Sequence, residues 1–94
     1  MSTRVEHDAK GTKYEILVDE VAAGHVKYRL DEGVIDFTHT EVDDAYQGQG
    51  LAGVLVQGAL DDVSDTTELR VVATCPYVRG WLEKHPEYAG LTTR

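Results

Sequence analysis

The stretch Ala45-Tyr46-Gln47-Gly48-Gln49-Gly50-Leu51-Ala52-Gly53 joins two segments of different periodicity. An apolar, β-branched run from Val34 to Val42 precedes it, and Leu51 to Val63 follows with apolar residues at helical spacing. The sequence therefore predicts a strand, a glycine-rich turn and a helix. Three glycines within six residues leave backbone N–H groups of the turn uncovered by side chains.

This turn is suited to binding an anion, because a helix start presents free N–H groups and the positive end of its dipole. An ordinary flexible loop before a helix explains the glycine content equally well, since short glycine motifs often occur by chance. The Gly-x-Gly-x-x-Gly spacing of residues 48–53 follows the third predicted strand and not the first, no Gly-Lys-Ser/Thr follows the turn, and 94 residues are too few for two βαβ halves. A dinucleotide-binding Rossmann fold and a Walker A loop are therefore excluded.

Length and composition predict a single domain over residues 1–94. Hydrophobic residues make up 41% of the chain and charged residues 28%, which is ordinary for a globular protein. No apolar run approaches the roughly 20 residues that span a bilayer. The segment from Met1 to Asp8 has no apolar signal core, so we expect a cytoplasmic location and no membrane partner.

The formal net charge of −8 argues against nucleic acid as a partner, because phosphate backbones require a basic face. It suits a cationic partner such as an amine through weak steering, although solubility alone also explains it. A single cysteine, Cys75, excludes an internal disulfide and argues against a structural zinc site, so no metal site is predicted. The exposed edges of so small a sheet allow a monomer or a weak homodimer.

Alternation of apolar and polar residues predicts strands over 13–18, 21–30 and 34–42, and a short strand over 69–74. Residues 1–10 are interpreted as a short edge strand or a loose start. The first helix is expected to end in an acid-rich, solvated loop within 61–68. A second helix begins at Pro76 and ends at His85-Pro86, and residues 87–94 are expected to be a tail.

These elements predict an α+β fold with the order β-β-β-α-β-α. The strand–helix–strand unit crosses over right-handed, so an antiparallel meander joins a parallel pair, with two helices packed on one mixed, mainly antiparallel sheet. Strict alternation puts Ile35, Phe37, His39 and Glu41 on one strand face. In the preceding strand it puts Ala23 on the wet face.

Four motifs in order resemble one protein family. The segment Gln47–Ala52 fits Q/R-x-x-G-x-G/A and resembles the acetyl-CoA pyrophosphate loop of the GNAT acetyltransferase superfamily. The other motifs are His39-Thr40-Glu41-Val42, Cys75-Pro76-Tyr77-Val78 and His85-Pro86-Glu87-Tyr88. Together they resemble the small YjdJ-type, GNAT-like N-acetyltransferases, from about the second strand to Tyr88.

The resemblance implies acetyl transfer from acetyl-CoA to a small amine or lysine-bearing acceptor. There are two alternatives. One is a module that holds coenzyme A without turnover, and the other is a protein–protein adaptor that only retains the fold. By position, the pantetheine arm would contact the backbones of Glu41 and Val42, and its thioester end would lie near the start of the second helix. The implied cofactor-binding residues are Glu41, Val42, Gln47, Gly48, Gln49, Gly50, Leu51, Ala52, Cys75, Tyr77, Val78 and Arg79.

Two side chains are candidates for catalysis. His39 can take a proton from an ammonium group, although a histidine satisfied by a neighbouring residue is an equally good interpretation. Cys75 starts a helix, where the dipole favours a thiolate that could attack the thioester, whereas many free cysteines are simply small buried residues. The usual GNAT route is direct transfer to the amine, and a covalent acetyl-cysteine route is the alternative. One departure is Trp81, which stands near the position of the tyrosine acid in larger relatives and cannot donate its proton at neutral pH.

Overall fold

The structure is a computed structural model that describes residues 2–94. Its strands are β1 (Thr3–Asp8), β2 (Lys13–Val18), β3 (Val21–Asp31), β4 (Val34–Val42) and β5 (Arg70–Ala73). Its α-helices are α1 (Leu51–Thr66) and α2 (Pro76–Lys84), and 3-10 helices cover Asp44–Tyr46 and Pro86–Thr93. The α+β class is confirmed. Among the described residues, no helix combines the length and the apolar character needed to cross a membrane.

The five strands form one sheet in the order β1-β2-β3-β4-β5. Neighbours from β1 to β4 are antiparallel, and β4 and β5 are parallel, with α1 as the crossover. The predicted order β-β-β-α-β-α lacks one strand, because residues 3–8 pair regularly with β2. Val5 of β1 also packs on α1, so closely that a Cβ at Gly58 would lie 2.7 Å from its methyl carbon. Pairing and packing thus order a polar segment that has little periodicity of its own.

Both helices cover the same face of the sheet. Val78 of α2 lines an interior space together with Val56 and Leu60 of α1 and with Val26 and Phe37 of the sheet. The opposite face, here called the outer face, carries charged and imidazole side chains that are at least partly exposed. They are Glu15, His25, Lys27, His39 and Glu41.

A bulge in β4 overturns the predicted assignment of its faces. Lys27 pairs with His39 while the next residue, Tyr28, pairs with Phe37, so Thr38 is an extra residue without a partner. One extra residue reverses the alternation that follows. Ile35 and Phe37 therefore face the helices, whereas His39 and Glu41 face outward.

A second bulge corrects the assignment for β3. Ile16 pairs with Gly24 and Leu17 pairs with Ala22, which leaves Ala23 as the extra residue. Ala23 was predicted on the wet face, but it is fully buried in the core. In both strands the position of the extra residue is decided by the neighbouring strand.

Helix α1 ends at Thr66, within the predicted range 61–68, although most of the acid-rich segment is helical. The end of the chain differs from the prediction, since residues 86–93 are helical and bury Leu91, so they are not a tail. Arg94 joins the two ends, because its guanidinium donates to the carbonyl oxygens of Ser64 (3.2 Å) and Thr67 (2.8 Å) at the end of α1 and of Leu69 (3.0 Å).

Candidate functional site

The site lies where the two parallel strands separate. β4 and β5 pair from Val34 and Arg70 up to Phe37 and Ala73, where β5 ends while β4 continues. The N–H of Cys75 donates to the Phe37 carbonyl oxygen at 2.9 Å, beyond which the two chains diverge. Past this point the free edge of β4 borders a cleft of about 300 Å³. The cleft is lined by Thr40, Val42, Gln47, Gly48, Gly50, Leu51, Ala52 and Tyr77.

Asp36 holds the chain at the point of separation. This carboxylate is 7% exposed and accepts hydrogen bonds from the Thr74 N–H (3.1 Å) and the Thr74 hydroxyl (2.9 Å). Arg29 pairs with it at 3.4 Å from the outer face. Asp36 therefore anchors the residue before Cys75. Its sequence signal, a lone acid in an apolar strand, was not interpreted as functional.

The glycine-rich turn provides unpartnered backbone donors. Gly48 and Gly50 have φ values of +83° and +73°, which residues other than glycine rarely adopt. The first helical hydrogen bond is from the Val54 N–H to the Gly50 carbonyl oxygen, at 3.4 Å. Within residues 2–94 no protein atom accepts a hydrogen bond from the N–H groups of residues 48–53. The turn and the start of α1 therefore present consecutive free donors at the cleft.

Gln47 holds this turn rather than contributing a free side chain. Its amide nitrogen donates to the Val42 carbonyl oxygen at 3.1 Å and approaches the Asp44 carboxylate at 3.5 Å. The amide thereby ties the turn to the end of β4. A Cβ placed at Gly48 or Gly50 would meet nothing within 4 Å, so the space around both Cα atoms is open and the positive φ is the reason for glycine there.

A second groove continues from the cleft between the two helices. It has a volume of about 390 Å³ and shares Gly50 and Tyr77 with the cleft. A Cβ at Gly53 would contact the Tyr77 hydroxyl at 3.6 Å and the Trp81 indole nitrogen at 3.7 Å. Lys84 lines the far part of this groove and supplies a positive charge there.

Cys75 lies at the N-cap of α2 and is 5% exposed. Its sulfur is 3.4 Å from the Thr40 hydroxyl oxygen. Burial acts to raise the pKa of Cys75, but hydrogen bonds from the Thr40 hydroxyl and from the N–H groups of Val78, Tyr77 and Thr40 lower the pKa below its usual value. These hydrogen bonds stabilise the thiolate form relative to a free cysteine, as expected at a helix start. Thr40, a residue whose role the sequence did not indicate, is the side chain that contacts the thiol.

His39 lies on the outer face and is well exposed. Its Nε2 atom is 3.3 Å from the Glu41 carboxylate, and its ring centroid is 6.1 Å from that of His25. The bulge at Thr38 puts His39 and Cys75 on opposite faces of the sheet, so the structure does not bring the imidazole to the thiol.

Several residues of the predicted cofactor set have side chains outside the cleft. Val78 is fully buried in the core, and Arg79 donates to the carbonyl oxygens of Ala73 and Thr74 at 3.3 Å. Glu41 points outward, and Gln49 is exposed on the turn. Tyr77 is 44% exposed and lines both the cleft and the groove.

The end of α2 forms a packed corner. The Trp81 and His85 rings stack at 3.8 Å, and His85 Nδ1 donates to the Trp81 carbonyl oxygen at 2.7 Å. Tyr88 meets Trp81 edge to face at 5.0 Å and donates to the Asp61 carboxylate at 2.6 Å. This network ties α2 to α1.

Comparison with known proteins matches most of the chain to one family. The model of the family described as GCN5-related N-acetyl-transferase matches residues 13–91. Protein NATD1 of Bos taurus is 34% identical over 86 residues, which cover 88% of this chain and 74% of the relative. Protein NATD1 of Danio rerio is 33% identical over 92 residues, which cover 90% of this chain and 80% of the relative. The chain therefore belongs to the family of GCN5-related N-acetyl-transferases.

Proposed function

We propose that this protein, as a small YjdJ-type member of its family, transfers the acetyl group of acetyl-CoA to an amine acceptor. The observation that carries the proposal is the run of unpartnered N–H groups at residues 48–53, at the mouth of a cleft between separating strands. A diphosphate is the ligand chemistry that such a set of donors and the α1 dipole stabilise.

The residues present fit acetyl-CoA along its length. The turn would hold the pyrophosphate, because the N–H groups of residues 48–53 have no acceptor among residues 2–94 and Gly48 and Gly50 have no side chains to cover them. The free edge of β4 past Phe37 offers backbone groups to the amides of the pantetheine arm. The groove between the helices, with Lys84 in it, suits the adenosine half and its phosphate charge. The thioester end would then lie near Thr40 and Cys75.

In direct transfer the amine reaches the thioester from the outer face, through the gap beside β4. His39 would accept the proton that the ammonium group loses, and its Nε2 atom lies 3.3 Å from the Glu41 carboxylate. The neutral amine would then bond to the acetyl carbon as the carbon–sulfur bond breaks. The N–H proton that the nitrogen loses in forming the amide would pass, by way of Tyr77 or water, to the departing thiolate. The net charge of −8 favours a cationic acceptor, such as a small amine or a lysine side chain.

A covalent route has its own supporting observation. Cys75 has a lowered pKa and lies at a helix N-terminus beside Thr40. In this route the Cys75 sulfur bonds to the acetyl carbon, coenzyme A leaves as the thiol, and the amine then takes the acetyl group from sulfur. Without His39 near the thiol, Thr40 and the backbone N–H groups must stabilise the thiolate.

The test combines binding with turnover. Calorimetry measures coenzyme A affinity, and a free-thiol assay measures acetyl-CoA consumption with polyamines and with lysine peptides. Binding together with amine-dependent release of coenzyme A supports the transferase. Binding without release for any amine identifies a module that only holds the cofactor, and absence of binding overturns the proposal.

A further inference from the structure

The outer face holds a compact set of metal-ligating atoms formed by His25, His39 and Glu41. One donor atom from each residue lies within 4.8 Å of the others. His25 is half-buried, and the other two side chains are exposed, so solvent and ions reach the set. The three positions lie on two paired strands, which hold them more firmly than a loop would.

The register of the sheet creates this set. Glu41 is the cross-strand partner of His25, and His39 is two residues before Glu41 on the same strand. Without the bulge at Thr38, His39 and Glu41 would continue on the face of Phe37. The same irregularity that separates His39 from Cys75 thus assembles the three side chains.

Their spacing matches a tetrahedral site. Zinc–ligand distances of about 2.0–2.1 Å imply that two ligand atoms lie roughly 3.3 Å apart. The Nε2 atom of His39 and the Oε2 atom of Glu41 are already separated by 3.3 Å. The His25 donor atom lies within 4.8 Å of the other two, so a shift of its side chain is required to bring the third ligand to this spacing.

The charges of the neighbouring residues are balanced. Glu15, His25 and Glu41 form one cross-strand row, and Lys13, Lys27 and His39 form the next. Lys13 lies 3.9 Å from the Glu15 carboxylate, which offsets its charge. Two carboxylates therefore accompany two ammonium groups, and their net charge does not oppose a bound dication.

We infer that His25, His39 and Glu41 bind a late first-row divalent cation, with zinc as the representative ion and water in the remaining position. Two imidazoles and one carboxylate favour this class over magnesium or calcium, which prefer oxygen ligands. The single cysteine argues against a structural zinc site with several Cys and His ligands at close spacing in the sequence, whereas this set uses no thiolate and joins residues of two strands. Metal binding here does not depend on acetyl transfer. If His39 is the base, zinc is also expected to inhibit turnover.

The experiment uses untagged protein, since a histidine tag would itself bind zinc. Zinc titration by calorimetry should show one site, and magnesium should give no binding. Cobalt should give the intense visible absorption of a tetrahedral site. His25→Ala and Glu41→Gln should each weaken zinc binding by at least the roughly 10–100-fold that loss of an outer-shell partner costs. Glu41→Gln preserves the size of an exposed side chain, so it tests the site if His25→Ala fails to fold.

Two matched variants control for other donors. His7 is also exposed and lies 3.7 Å from the Asp62 carboxylate, away from the proposed site, so His7→Ala should leave zinc affinity unchanged. Cys75→Ala removes the chain's one thiol and should likewise leave one zinc site. Unchanged zinc affinity in His25→Ala and Glu41→Gln, or an equal loss in His7→Ala, would overturn the assignment.

Discussion

The hydroxyl oxygen of Thr40 lies 3.4 Å from the sulfur of Cys75, so the free end of β4 contacts the start of α2 across the strand gap. This contact links the two elements that border the cleft. It also gives the thiol a hydrogen-bond donor inside a buried environment, where an unpaired thiolate would be costly. The pair therefore bears directly on the choice between direct and covalent transfer.

Thr40→Val should raise the pKa of the Cys75 thiol, because the variant keeps the shape of the side chain and removes its hydroxyl donor. The wild-type pKa is lowered, so loss of this bond moves it back upward and reduces the thiolate fraction at neutral pH. The pH profile of alkylation by iodoacetamide measures the shift. Thr38→Val changes an exposed residue of the same strand and should leave the profile in place. If the midpoint of the alkylation pH profile is unchanged in Thr40→Val, the backbone N–H groups alone lower the pKa of Cys75.

Cys75→Ala decides between the two routes of acetyl transfer. In the covalent route, acetyl-CoA alone adds one acetyl group to the protein, and Cys75→Ala removes this adduct and the activity. In direct transfer no adduct forms, Cys75→Ala keeps most of its activity, and His39→Ala loses it. Intact-protein mass spectrometry and steady-state kinetics on the three proteins give the answer. We favour direct transfer, since no side-chain base accompanies the thiol, and a stoichiometric adduct at Cys75 would contradict that preference.

Gly50→Ala should weaken coenzyme A binding through the turn's backbone. Alanine at a φ of +73° is strained by roughly 1–2 kcal/mol, and relaxation of the turn would redirect the N–H groups of α1. Gly33→Ala is the matched control, because Gly33 has a φ of +71° and equally open surroundings but lies in the β3–β4 hairpin. Calorimetry should show lower affinity only in Gly50→Ala, although urea unfolding shows similar destabilisation of both. Equal affinities would rule out the turn as the pyrophosphate site.

Asp36→Ala should destabilise the protein and loosen the start of α2. Removing a buried acceptor leaves the Thr74 N–H unpaired, which costs about 1–3 kcal/mol. Because Thr74 precedes Cys75, thiol alkylation should also become faster. Urea unfolding and alkylation rates measure the two effects. Asp31→Ala, at an exposed acid, should change neither, and a stable Asp36→Ala variant with unchanged thiol reactivity would refute the anchoring role.

Arg94→Ala should lower stability by about 1–2 kcal/mol, since the carbonyl oxygens at the end of α1 lose a cationic donor. Arg94→Lys retains the charge but not the planar fork, so an intermediate loss is expected. Arg70→Ala, at an exposed residue of β5, provides the control. Urea unfolding measures all three variants. Equal stability of Arg94→Ala and wild type would show that water replaces the guanidinium at no cost.

Local patterns predicted the elements with strong signals of their own. The start of α1 at Leu51, the start of α2 at Pro76 and its end before Pro86 all follow from backbone chemistry that acts within a few residues. The turn at Gly48 and Gly50 also follows from local backbone chemistry, because only glycine readily adopts its φ values. Motif order also predicted the acetyltransferase family, which the family match over residues 13–91 bears out.

Weakly patterned segments needed partners that are distant in the chain. β1 is polar apart from Val5, and its pairing with β2 and its contact with Gly58 order it. Arg94 is far in sequence from the carbonyl oxygens at the end of α1, so no local pattern indicates that its guanidinium donates to them. Asp36 likewise acquires its role only when Thr74 lies beside it.

By itself the sequence determined the turn, the two helix starts, the fold class and the family, since each depends on local backbone preferences or on motif order. The tertiary structure alone decided which face each side chain of β4 occupies beyond Phe37. The two-residue alternation of the sequence does not indicate where an extra residue is inserted, because strand pairing and packing determine the position of the bulge. That bulge puts His39 beside His25 and Glu41 on the outer face and leaves Cys75 with Thr40 on the other.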